Sequence, residues 1–362
     1  MTFFKKVFSK TDTPILSNED FWNWFIKNEK SFFNTVKKQS NIEENFFDKI
    51  SPKLNELKEG FFYLTGMLDD NTVEFVLTAD GTIKNFIFVE QLVNEAPQIK
   101  GWKFTALKPP MEDDKFGIEM AGYKINTENI FFYSNDDPNQ PDEIDITLVY
   151  EDLNDENRST ISNGVFIFLD NYLGEINFAT LIDNVTIIGR DKIEKEPIPV
   201  NKLKSFLIWR EKEFVEKYEN ATINIENHKH SIFKGESENG KPLFAAINTE
   251  LLAWNNKASH PWMLKFELFY DGSKNDGLPE GSMFELLDTI EDEMISELKD
   301  INGHLNIGRE TAENVRTVYY ACNEFRESSK IAQQILKKYK CNLDMSYEIY
   351  KDKYWQSLAY YK

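Results

Sequence analysis

Only a few short constellations in this chain have residue types and spacings that could do chemistry. Gly235–Lys241 reads GESENGK, the G-x-x-x-x-G-K spacing with which a backbone loop and a lysine cradle phosphates. Position 242 is Pro, where magnesium coordination needs Ser or Thr, and Glu236 and Glu238 would repel a phosphate. A strand-like run follows it rather than a helix, so the stretch reads as a hairpin turn. His228 and His230 put two imidazoles on one strand face, half of a metal site, with Glu226 as weak support. Zinc takes four defined ligands, and surface histidines are the simpler reading. Asp271–Asp276 resembles a calcium loop, but Asp276 stands where the sharp-turn Gly belongs and Ser282 where the bidentate Glu belongs. There is no G-x-S-x-G elbow. Cys322 ends an apolar run and reads as core, not as an exposed, activated thiolate. No catalytic residue, metal or cofactor is assigned on this basis.

Two weaker sets of candidates remain. Trp254, His260, Trp262 and Asp276 would line a small-ligand pocket between two domains. Asp136, Asp137, Asp142 and Glu143 sit among Asn and Pro, and belong to a run from Ser134 to Asn157 with nine carboxylates and no Lys or Arg. Like charges so concentrated repel and stay solvated, so an exposed acidic loop is expected, one that would meet a basic protein. A calcium ion wants clustered oxygens of this kind, but the spacing does not match an EF-hand loop.

The elements that must position these residues follow from periodicity. Trp262–Tyr270 alternates as a strand, with Phe266, Leu268 and Tyr270 on one face and Lys265 and Glu267 on the other. Ser282 and Glu285 then form a capping box for a helix whose apolar stripe is Phe284, Leu287, Ile290, Met294, Ile295 and Leu298, with Asp288, Glu291, Asp292 and Glu297 opposite. Strands at His304–Gly308 and Val315–Cys322, a helix at Phe325–Tyr339 and a strand at Met345–Lys351 complete a β-α-β-β-α-β order.

Near the start, Ser17 with Asp20 opens a helix that Leu16 staples through Phe21; a second runs over Glu43–Leu57. Strands at Phe61–Leu68, Val73–Ala79 and Trp102–Leu107 enclose a helix at Phe86–Asn94. After two short strand candidates, Ile144–Tyr150, Ser159–Leu173 and Asn184–Ile188 repeat strand, helix, strand. The expected architecture is α+β. It comprises an N-terminal domain (1–191), a linking helix (192–220) and a C-terminal domain (221–362). Both domains are expected to be ferredoxin-like sandwiches with helices on one face of an antiparallel sheet, the first preceded by two extra helices.

Composition narrows the function classes. The 362 residues carry a formal net charge of −19, which argues against nucleic acid as main ligand, because duplex affinity rests on Lys and Arg neutralising phosphates. Aromatic residues make up 14%, yet the basic-Gly-aromatic pattern of sheet-stacked RNA recognition is missing. The two cysteines, Cys322 and Cys341, imply no disulfide framework and a reducing, cytoplasmic setting. No run of about 18 apolar residues could span a membrane. Phe3, Phe4, Val7 and Phe8 beside Lys5, Lys6 and Lys10 make a weak membrane-surface face, or a docked terminus.

The segment from about Leu251 to Tyr361 resembles the bacterial family known as domain of unknown function 695. The resemblance is carried by the Trp254 region, Pro261-Trp262, Gly277-Leu278-Pro279, Arg316 to Tyr320 and Tyr354-Trp355. It implies an intracellular bacterial protein of ferredoxin-like build with no established activity, similar in build to a protein inhibitor of ribonuclease E. Two functions therefore stand as expectations. The first is a non-enzymatic, inhibitor-like interaction module that shows an acidic surface to a basic protein. The second is an enzyme or small-ligand sensor with an interdomain pocket. Neither one fixes an oligomeric state.

Overall fold

A computed structural model describes residues 14–112, 115–225 and 228–361. The N-terminal apolar face at Phe3, Phe4, Val7 and Phe8 and the supporting Glu226 lie outside them. The chain falls into two compact units, Met1–Lys108 and Pro109–Lys362. The break comes at Lys108-Pro109-Pro110, where successive prolines fix the backbone and remove donors, and not in the stretch 192–220.

In the first unit, Ser17 caps α1 (Asn18–Lys38): its hydroxyl accepts from Asp20 N at 3.1 Å and donates to Asp20 Oδ2 at 2.9 Å. The expected staple does not form. Leu16 is exposed, and Ile15 is the buried residue beside the cap. A π-helical turn, Glu43–Phe47, runs into α2 (Asp48–Leu57). Strands β1 (Phe62–Asp69) and β2 (Thr72–Thr78) pair antiparallel, and α3 (Ile83–Asn94) crosses over to β3 (Trp102–Ala106), parallel to β2. Aromatic side chains fill the core. Phe25 of α1 stacks on Phe75 at 5.7 Å, and the Trp22 indole donates to Leu92 O at 2.7 Å.

The second unit opens with the hairpin β4 (Gly117–Met120) and β5 (Tyr123–Asn126), then β6 (Ile130–Asn135), β7 (Asp145–Tyr150), α4 (Arg158–Leu173), α5 (Glu175–Leu181), β8 (Asn184–Ile188) and β9 (Ile198–Pro199). These give a four-stranded sheet ordered β8-β7-β6-β9, parallel between β7 and β8 and antiparallel elsewhere. The single sandwich expected over 1–191 is thus divided among three separate sheets, β1-β2-β3, β4-β5 and β8-β7-β6-β9. The first is already covered by the bulky aromatics of α1, and β7 takes its neighbours from its own half of the chain. α6 (Leu203–Tyr218) is likewise no free linker. Its Leu203 and Leu207 are buried in one core with Phe132, Leu148 and Val165.

The rest of this unit is built on a six-stranded antiparallel sheet ordered β10-β11-β13-β14-β12-β15. The strands are β10 (His230–Glu236), β11 (Pro242–Asn248), β12 (Trp262–Phe269), β13 (His304–Ala312), β14 (Val315–Cys322) and β15 (Asp344–Lys351). Short α7 (Thr249–Leu252) follows β11, while α8 (Gly281–Glu297) and α9 (Arg326–Tyr339) make the two crossovers. Phe266 meets Tyr320 and Tyr347 on the face under α8 and α9. Met263, Leu305, Ala321 and the C-terminal Trp355 and Leu358 pack on the other. Gly308 has φ +139°, and a Cβ there would lie 2.1 Å from Ala246 O. Only glycine lets β11 approach the bulge that β13 makes between Asn306 and Gly308.

Two local expectations for α8 fail. Glu280 occupies the cap position and makes no side-chain cap bond, because the helix starts at Gly281 and leaves Ser282 inside its first turn. Asp288 and Glu291 do not simply face water. Arg316 of β14 has a side chain only 2% exposed, and its Nη1 donates to Asp288 Oδ1 at 2.8 Å and Glu291 Oε1 at 2.7 Å. Arg309 Nη1 donates to the second Glu291 oxygen at 2.6 Å. A buried guanidinium needs anions within reach, and removing one partner strands the other. Glu291→Ala is therefore expected to cost about 3 kcal/mol in urea unfolding. Arg316→Met on top of it should add less than it costs alone. Strictly additive losses would show that the cluster does not act as a unit.

Candidate functional site

A cluster of buried charge lies in the second unit, where its four-stranded and six-stranded sheets meet, and Asp183 is at its centre. This carboxylate is 8% exposed. Its Oδ2 accepts from Ile144 N at 2.6 Å and from Lys353 Nζ at 2.8 Å, and its Oδ1 pairs with Lys351 Nζ at 2.8 Å. Lys351 also donates to Leu181 O at 3.2 Å, and Lys353 to Asp142 O at 2.6 Å. Each ammonium has three N–H donors, and these bonds use two of them. Burial pushes the Lys351 amine down to about 8 although Asp183 opposes the shift, since desolvation disfavours the charged form.

Beside this pair lies a cleft of about 460 Å³. Its apolar wall comes from Ile144, Leu181, Phe214 and Trp262, and its polar wall mixes cations, Arg210, Lys217, Lys351 and Lys353, with the carboxylates Asp142, Glu211 and Glu213. The sheet register explains the juxtaposition. Trp262 of β12 is paired directly with Lys351 of β15, so both side chains leave one face of the sheet at its end. α6 closes the opposite side, with the Lys353 ammonium 5.0 Å from the centre of the Phe214 ring. A second cavity, about 510 Å³, shares Lys351 and Lys353 and is bordered by Glu143 and Asp183. The two lysines stand in the partition between the cavities.

Of the four residues expected to line a pocket between domains, Trp262 borders this cleft within the second unit. Trp254 packs 5.6 Å from His260 and 6.3 Å from Trp355, away from the cleft. His260 is buried; its carbonyl accepts from the Trp355 indole at 3.0 Å and its ring meets Ser259 Oγ at 2.9 Å. Asp276 is exposed in a left-handed turn at the far end of β12, because Gly277 must tuck against Glu313 there.

The acidic set divides in the same way. Asp136 and Asp137 are exposed, and Asp137 caps its own turn by accepting from Asn139 N at 2.8 Å. Asp142 is instead an internal group: Lys217 donates at 2.6 Å, Tyr218 at 2.7 Å and Tyr354 at 2.6 Å. Burial works against its charge, but these three donors still hold the carboxyl below its usual range. Glu143 is half-buried and accepts from Asn184 at 3.2 Å. Burial, then the neighbouring Asp183, raises its carboxyl.

The other motifs resolve structurally. GESENGK is the tight turn joining β10 to β11, closed by Ser237 N to Lys241 O at 2.8 Å. His228 faces Glu250 at 3.7 Å and Asn248 at 3.3 Å. The Cys322 thiol is buried and pushed up to about 12. Lys351, Lys353 and Asp183 went unmarked in the sequence reading. For Lys351 the signal is phase: Tyr347, Ile349 and Lys351 alternate onto one side of β15, and the first two are core.

Against known proteins, residues 235–361 match a family of unknown function, DUF695. The match begins inside β10 and takes in the β10–β11 hairpin, α8, α9 and the C-terminal segment. No curated protein matches the chain, and no solved structure does. Among the described residues, no helix is long and apolar enough to cross a membrane.

Two predictions follow from this geometry. Asp183→Asn leaves two buried ammoniums without their shared anion and should cost about 3–5 kcal/mol in urea unfolding; a loss under 1 kcal/mol would show that the lysines find other partners. Burial, then the nearby His304, holds His260 near 4, and burial lowers His304 as well. The unfolded chain then takes up protons near 6.5 before the folded one does, so stability should rise with pH between about 4 and 6.5 and level off above. His260 alone contributes about 2 kcal/mol between pH 5 and 7. The urea midpoint of His260→Gln should depend less on pH over that range than that of the parent.

Proposed function

We propose that the second unit is a small-ligand binding module, a sensor or carrier, whose ligand enters the cleft beside Trp262. The observation that carries this reading is the cleft itself: about 460 Å³ with an apolar wall facing two buried lysines. Ligand sites combine such volumes and apolar linings with a few convergent polar groups. The uncommitted lysine donors favour a small, partly apolar molecule bearing hydrogen-bond acceptors. The β12-α8-β13-β14-α9-β15 order, with β15-β12-β14-β13 adjacent in the sheet, supports a ferredoxin-like reading of the C-terminal half, extended at one edge by β11 and β10. A reducing, cytoplasmic setting is supported by the two unpaired cysteines.

A second reading is favoured by exposed Asp136 and Asp137 together with the net charge of −19. It is a regulatory module that docks a basic protein partner, with nucleic acid disfavoured by the same charge. The inward turn of Asp142 removes one of its expected contacts.

A thermal-shift screen of small acceptor-bearing metabolites separates the two. On the first reading, some compounds raise the melting temperature of the parent, by an amount equivalent to about 2.7 kcal/mol at a hundredfold excess over Kd, and lose that effect in Trp262→Ala. If no compound stabilises the parent, and a basic protein co-purifies at low salt and is released at high salt, the second reading takes its place.

A further inference from the structure

We propose that Lys351 is a carbonyl-capturing amine: a small aldehyde or ketone that enters the cleft beside Trp262 condenses with its Nζ to form a reversible imine. This rests on the reading of the cleft as a ligand site, and it names the ligand class. The geometry supplies three requirements. The amine is placed by a rigid strand opposite Trp262, so its position does not depend on a loop. It borders the cleft, where an incoming carbonyl can reach it. A carboxylate, Asp183, stands 2.8 Å from Nζ to move protons.

The groups that surround the amine are Asp183 and Lys353 beside it, Glu143 and Asp142 from the segment before β7, and Arg210, Glu211, Glu213 and Lys217 of α6 across the cleft. Lys353 is held more firmly than Lys351, between Asp142 O, Asp183 and the Phe214 ring. Its positive charge next to Nζ favours the neutral amine, in the same direction as burial.

The condensation balances without an external oxidant or reductant. The Lys351 ammonium gives a proton to Asp183, and the freed lone pair adds to the carbonyl carbon. The added nitrogen passes one of its two protons to the carbonyl oxygen, giving a neutral carbinolamine. The nitrogen then forms the C=N bond as the hydroxyl leaves, with the Asp183 proton, as water. Hydrolysis reverses each step. Lysines activated in this way are desolvated or lie next to another cation, and Lys351 is both.

The test uses the full chain with glyoxylate as an anionic probe and butyraldehyde as an uncharged one. Sodium cyanoborohydride fixes any imine as a stable secondary amine, and peptide mapping locates it. The expected result is an adduct at Lys351 formed at least about tenfold faster at pH 7 than at exposed lysines such as Lys212 and Lys340, given the larger neutral fraction of a depressed amine. The adduct should vanish in Lys351→Arg, whose fold is checked by its melting curve. Aldehyde without reductant should wash out and restore the original mass. Equal labelling of Lys351 and surface lysines overturns the proposal. So does a probe that raises the melting temperature without an adduct at Lys351, an outcome that leaves the cleft standing as a binding site. Neither stabilisation nor adduct overturns both.

Discussion

The second unit depends on keeping one carboxylate neutralised out of water. Asp183 lies 170 residues from Lys353 in sequence, and the two side chains meet where the four-stranded sheet abuts the end of the six-stranded one. A lone buried carboxylate would cost several kcal/mol, so β15 must arrive with its lysines in register for either half to close. The backbone of Ile144 completes the shell on the other side. A local ion pair thus couples two sheets that share no strand.

The same device recurs on α8. Arg316 enters the helix-facing side of its sheet as a charge, and Asp288 and Glu291 turn inward to receive it. Both clusters draw acidic residues into the interior, and Asp142 adds a third case. Some of the acidity that reads as solvent-facing surface is therefore structural. The net charge of −19 describes the chain, but it does not describe one patch.

Helices and strands were largely legible because their burial is periodic. The alternation of Leu264, Phe266 and Leu268 against Lys265 and Glu267 holds through β12, where Lys265 and Glu267 pair at 2.6 Å on the opposite face. Sheet membership was not legible. Nothing local to Ile144–Tyr150 says that its partners are β6 and β8 and not β2, since pairing is decided by which faces remain uncovered. The capping box at Ser282 failed for a related reason: the spacing was right, but Gly281 in a left-handed conformation set the helix start. The site was the least legible part. Trp262 was visible as an aromatic at a strand opening, whereas Asp276 was joined to it by sequence proximity although β12 carries them to opposite ends.

Arg316 and Lys351 share a property that sequence does carry: each is a long cation in phase with buried residues of its own strand, Arg316 with Val318 and Tyr320, Lys351 with Tyr347 and Ile349. Such a charge must find an anion inside the fold or stay uncharged. Arg316 has no second choice, because a guanidinium does not deprotonate in proteins, and two carboxylates within 2.8 Å answer it. Lys351 has the choice, because it shares the Asp183 carboxylate with Lys353 and an amine can release its proton. Glu143 stands near the lysines as well, and burial is what favours a neutral Lys351 amine against these carboxylates. The Arg316 cluster holds fixed charges, and the Lys351 cluster, which opens on a cleft, is the one with a lone pair to offer a ligand.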